Sequence, residues 1–271
     1  MDKTKLLVFS AIFFLVVSLV SVFALAKPNT EFVSATNNKA GNSISVPAHA
    51  VEVADGVFSL GTALDVDGRI VQGYLFLHDK RENAKPSGVG GNKGVNSQCY
   101  NLLASGARWK TTELYITGGG IDSTLTELSL NAWDSEVLFD VFGARDVSRV
   151  VDGADTANPD GKNEVEFAYL GATNTIAQTI VWGIFYGPPK SRELVEWDAV
   201  FNTAYPFGDA TVNQSVMDYH NIATHEFGHA LGLGHPESTC TEETMYAYAE
   251  FGETKKRDLN AGDIAGINEL Y

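Results

Sequence analysis

The chain has 271 residues, 44% of them hydrophobic and 20% charged, with 26 Gly and 8 Pro, which is the composition of an ordinary globular protein with one large domain, or one domain and a smaller appendage. Its formal net charge of −15 argues against a nucleic-acid partner, because binding a phosphate backbone needs clustered cations.

The N-terminus carries Lys3 and Lys5, then an apolar run from Leu6 to Ala26 broken only by Ser10, Ser18 and Ser21. The run ends in Ala24-Leu25-Ala26, a small-x-small cleavage pattern, so residues 1–26 read as a signal peptide of a secreted, extracellular protein. The competing reading is an uncleaved membrane anchor, since about 20 apolar residues can cross a bilayer. Residues 27–50 are rich in Asn, Ser, Thr and Ala and show no period, which reads as a flexible linker. From Val51 to His78 apolar residues alternate around Asp67-Gly68, the signature of a hairpin. Residues 80–97 are dense in Gly, Pro and charge and form a second linker or exposed loop, a good place to cut a precursor. Residues 27–97 are therefore a linker and a small β-rich pro- or accessory segment, with residues 98–271 as the main domain.

Within 98–271, Arg108–Ile116 reads as a strand stopped by Gly118-Gly119-Gly120. Thr124–Leu138 spaces Leu125, Leu128, Ala132, Trp133 and Val137 as an amphipathic helix, with Ser123 or Thr124 as its N-cap. Val147–Val151, Glu164–Leu170, Ile176–Tyr186 and Val195–Asn202 read as strands, followed by a helix over about Asp218–Leu231 and a last helix over about Asn260–Leu270. The fold class is α+β.

The chemistry is concentrated in His225-Glu226-Phe227-Gly228-His229-Ala230-Leu231-Gly232-Leu233-Gly234-His235. On a helix His225 and His229 stand one turn apart on one face, a spacing that suits one Zn²⁺. Gly232 is placed to stop the helix and let the chain return His235 as a third ligand. Three protein ligands leave a fourth position for water, the design of a catalytic site. Glu226 is then the general base.

This stretch resembles the metzincin metalloprotease motif, and Met245 falls where that family places its Met-turn. Thr244-Met245-Tyr246 is most similar to matrixins, and the whole of 98–271 resembles the archaeal and bacterial matrixin-like peptidases; Pro236 departs from the Ser usual there in matrixins. The resemblance implies a twisted mixed sheet of about five strands, a zinc-site helix and a C-terminal helix, with substrate pairing antiparallel to an edge strand, for which Ile176–Val181 is the candidate. It implies a secreted zinc endopeptidase acting on proteins or peptides, expected to be a monomer and free of the membrane once the signal is removed. Matrixins also carry a second, structural zinc, and the lack of any His between Gln98 and Tyr219 predicts that site to be absent.

Two further features are weighed. Asp152, Asp155 and Asp160 lie in a stretch dense in oxygen ligands that could bind Ca²⁺, although it fails the EF-hand spacing and a solvated loop is the competing reading. Cys99 and Cys240 are expected to form a disulfide across about 140 residues, worth about 4–5 kcal/mol on the chain-entropy model; the alternatives are that both are free, or that a Cys99 thiol masks the zinc, without the Arg and Gly that flank the masking Cys of animal matrixins. His49 and His78 are placed outside the catalytic domain. Two rival functions stay open: a zinc-holding adhesion or binding module without turnover, and a hydrolase of a non-protein amide.

Overall fold

The computed structural model of the chain describes residues 34–35, 44–80 and 98–271; the expected signal at 1–26 and nearly all of the loop at 80–97 lie outside the described residues. Among the described residues no helix is long and apolar enough to cross a membrane.

One sheet organises the molecule. Its strands are β1 (Val51–Ala54), β2 (Val57–Leu64), β3 (Ile70–Lys80), β4 (Glu113–Thr117), β5 (Phe142–Arg145), β6 (Glu164–Ala168), β7 (Thr175–Ile184), β8 (Glu193–Asn202) and β9 (Tyr248–Ala249). The order across the sheet is β1-β2-β3-β7-β8-β6-β4-β5, with β9 also paired to β3. The five strands expected from the resemblance are β4 to β8, joined by parallel pairing except at β7, which runs antiparallel to β8. The sheet then continues through β3, antiparallel to β7 from Thr175 opposite Asp79 to Gly183 opposite Gln72. The 51–80 segment is thus part of the main sheet.

The expected hairpin joins β2 to β3. Asp65 Oδ1 accepts from the amides of Asp67 (3.0 Å) and Arg69 (2.8 Å), closing a turn in which Gly68 takes the left-handed conformation.

Three α-helices complete the fold: α1 (Ser123–Asp134), α2 (Tyr219–Ala230) and α3 (Ala261–Leu270). The larger core lies between the sheet and α1 and α2, with Trp133, Trp197, Phe201 and Phe227 at its centre. A smaller core on the opposite face of the sheet joins Phe58, Leu75 and Leu77 to Ile180 and Trp182.

Four sequence expectations shift. Ile176–Val181 is no edge: β7 is paired on both sides and buried along almost its whole length, as the continuous apolar run of a two-sided interior strand should be. The strand expected at 147–151 lies instead at β5, because Val141 and Phe142 enter the core and Asp134 accepts both their amides, whereas Val147 and Val150 face solvent. The strand from Arg108 shortens to β4. The first helix ends at Asp134, and its cap is Asp122, whose carboxylate accepts from the Thr124 and Leu125 amides at 3.0 Å.

Candidate metal centre

The centre is built on α2. Asp218 caps its start, accepting from the Asn221 amide at 2.9 Å while Arg257 grips the same carboxylate. At the other end Leu231 closes the helix and Gly232, at φ +95°, turns the chain back. Leu233–Gly234 then pairs antiparallel with Asn101–Leu102, and a Cys99–Cys240 disulfide ties the same two stretches together. His235 is delivered by this pinned segment rather than by a free loop.

The three imidazoles meet. Ring centroids lie 4.8 Å apart for His225–His229, 5.3 Å for His225–His235 and 4.7 Å for His229–His235. Backbone carbonyls set two tautomers: His225 Nδ1 donates to Thr244 O at 2.7 Å, and His229 Nδ1 donates to Leu233 O at 2.8 Å. Both Nε2 atoms therefore carry lone pairs. Burial holds all three imidazoles far toward the neutral form, His229 down to about 3. His225 Nε2 is buried without a hydrogen-bond partner. His229 Nε2 and His235 Nε2 stand 3.1 Å apart, close to the roughly 3.3 Å expected between two nitrogens on one tetrahedral Zn²⁺. Three neutral imidazoles, with one orphaned nitrogen and two others at that separation, fit a zinc ion.

Met245 lies beneath α2. A Cβ on Gly228 would stand 2.2 Å from Met245 Sδ and 2.7 Å from Trp133, so only glycine permits this approach. Gly228→Ala should therefore cost about 1–3 kcal/mol of stability by overpacking, despite the better helix propensity of Ala. Chemical denaturation measures it; an unchanged midpoint would show that Met245 yields freely.

Glu226 lies beside the histidines, fully buried. Its Oε2 accepts from the Thr179 hydroxyl at 2.6 Å, and its Oε1 accepts from His78 Nδ1 at 3.0 Å. His78 in turn accepts at Nε2 from Lys256 Nζ at 2.9 Å, which leaves its proton on Nδ1. Burial pushes the Glu226 carboxyl up to about 8 and the Lys256 ammonium down to about 7.

Several of these residues escaped the sequence reading. His78 was placed outside the catalytic domain, yet it is 0% exposed and its ring lies 3.8 Å from that of His225. Lys256 looks in sequence like one member of a solvated basic run, Lys255 to Arg257. Asp263 carries three amides, accepting from Thr244 at 2.7 Å, Met245 at 3.0 Å and Asn260 at 2.9 Å. It joins the Met245 turn to the start of α3. Its signal was the capping-box spacing from Asn260.

The acidic stretch divides in two. Asp152 and Asp160 pair with Lys162. Asp155 instead joins Glu196 and Asp198 of β8, neither of which was expected, with ligand oxygens all within 4.8 Å of one another. Glu196 is 0% exposed and its Oε1 has no hydrogen-bond partner. Burial and mutual repulsion raise these carboxyls, Asp155 to about 7 and Glu196 to about 8.

Comparison with known proteins agrees with the geometry. Residues 161–271, from just before β6 through α3 and including all three histidines, match the family model described as Matrixin. Metalloendoproteinase 1-MMP of Arabidopsis thaliana is 40% identical over 60 residues, 22% of this chain and 15% of that protein. Matrilysin of Rattus norvegicus is 44% identical over 50 residues, 18% of each chain. The Hatching enzyme of Paracentrotus lividus is 39% identical over 74 residues, 27% of this chain and 12% of that protein. The likeness therefore spans less than a quarter of the length of these curated relatives. Over residues 161–271, where the family match and the histidine cluster coincide, the chain is similar to the matrixins.

Proposed function

We propose that the protein is a secreted zinc-dependent endopeptidase that hydrolyses internal peptide bonds, with Glu226 as general base. The observation that carries the reading is the meeting of three neutral imidazoles, two of them oriented by backbone carbonyls, beside a buried carboxylate that takes no part in the cluster. His225, His229 and His235 would hold the zinc, which supplies Lewis acidity toward a carbonyl and toward water. Glu226 takes a proton from the attacking water at Oε1 and passes it to the leaving amine nitrogen. Thr179 holds Oε2 so that the carboxylate keeps one orientation. The carbonyls of Thr244 and Leu233 keep two rings aimed at the metal position.

The test is to incubate unfolded protein with the chain, both intact and cut once between residues 80 and 98, and to map new termini by mass spectrometry. Zinc-dependent internal cleavage in either form, lost on chelation and restored by zinc, is the expected result. A zinc-loaded protein that cleaves nothing in either form is instead the non-hydrolytic binding module.

A calcium ion among Asp155, Glu196 and Asp198 is favoured by the unpartnered Glu196 oxygen. The sign of the pH response follows from the raised carboxyls. Their protons are held more tightly in the folded state, so this contribution to stability is complete below the ordinary carboxylate range and is lost as pH rises through about 7 to 8. The melting temperature of the calcium-free, zinc-loaded chain should receive a falling contribution from this cluster between about pH 5 and pH 8. Millimolar calcium should raise it more at the upper pH, where it meets fewer competing protons. Thermal scans of wild type and Glu196→Gln check this; a calcium response that the substitution leaves intact would place the ion elsewhere.

A further inference from the structure

We propose that β3 occupies the substrate's place, so that residues 51–80 hold the enzyme closed; this rests on the zinc-peptidase reading above. Phe76 stacks on His229 at 4.2 Å and meets His235 edge-on at 6.2 Å. Two residues along the same face, His78 covers His225 and takes Glu226 Oε1, the oxygen a water would need. His78, His225, Glu226 and His229 all have 0% exposure.

The backbone makes the same point. On one side β3 pairs antiparallel with β7, Ala177 opposite His78 and Thr179 opposite Phe76. On the other side Tyr248 and Ala249 of β9 pair parallel with Asp79 and Lys80. Without β3, two strand edges would flank the histidines across a gap one strand wide. An extended peptide entering that gap would recover the lost ladders at its main chain and place its carbonyls near Glu226. Leu75 and Leu77, on the reverse face of β3, pack into the smaller core and hold the strand down. The inserted strand uses no cysteine, since Cys99 is bonded to Cys240.

The test replaces Ser87–Gly94 with the recognition sequence of a site-specific protease and cuts the folded, zinc-loaded chain. In a second form Gly73→Leu weakens the β3–β7 contact, because any Cβ at Gly73 would stand 2.6 Å from the Trp182 ring. Release of the N-terminal fragment is followed by native mass spectrometry. Binding of a short peptide hydroxamate, which needs both the metal position and the groove, is measured by calorimetry. Protein that has lost the fragment should bind the probe at least about 100-fold more tightly than the intact chain, and a synthetic peptide of residues 70–80 should reverse the gain. Equal binding by the intact chain overturns the inference, as does release without a gain. If the released form gains binding yet cleaves no protein, the strand does close the groove and the peptidase reading is what fails.

Discussion

Replacing Glu226 with Gln is expected to leave zinc bound and lower peptide hydrolysis by about 10²–10⁴-fold. The side chain is not placed as a ligand: its oxygens engage Thr179 and His78, while the three imidazoles face one another. Gln preserves the volume in a fully buried site. The Thr179 hydroxyl can accept from the new amide, and the remaining oxygen can still accept from His78, so folding should survive. What is lost is the group proposed to take and return a proton. The comparison is made in the fragment-released form, with bound zinc measured by elemental analysis and cleavage by initial rate. A Gln variant that retains most of the cleavage rate would remove Glu226 from the mechanism. One that loses zinc would make it a ligand.

Asp263→Ala should have the largest effect on stability, about 3–5 kcal/mol, because it strips the acceptor from three amides in a dry environment. It should also weaken zinc binding by about 10–100-fold. The link is physical: Asp263 holds the Thr244 and Met245 amides, and the Thr244 carbonyl orients His225. Asp263→Asn keeps the volume and at least one acceptor, so its losses should be smaller in both respects. Denaturant unfolding and competition with a zinc indicator separate the two effects. Loss of stability without any change in zinc affinity would confine Asp263 to capping α3.

The extent of the legible site follows from where its residues lie in the chain. His225, Glu226 and His229 sit within one helical turn and His235 just beyond its glycine stop, so local geometry was enough to bring them together. The Cys99–Cys240 pair followed from the even cysteine count. The hairpin at Asp67-Gly68 and α2 and α3 were also readable, because each depends on short-range turn and capping chemistry.

By itself, then, the sequence determined that three histidines meet and the kind of domain that carries them, since residues four or six apart are held by the helix and its stop. Only the tertiary structure decided that β3 lies over those histidines, with His78 on a carboxylate 148 residues away and Lys256 behind it. It also decided that Asp155 meets Glu196 and Asp198. Strand order is set by which apolar faces can be buried together and which backbone edges remain to be paired. That is a property of the whole sheet, and no spacing along 51–80 encodes which edge the hairpin will cover.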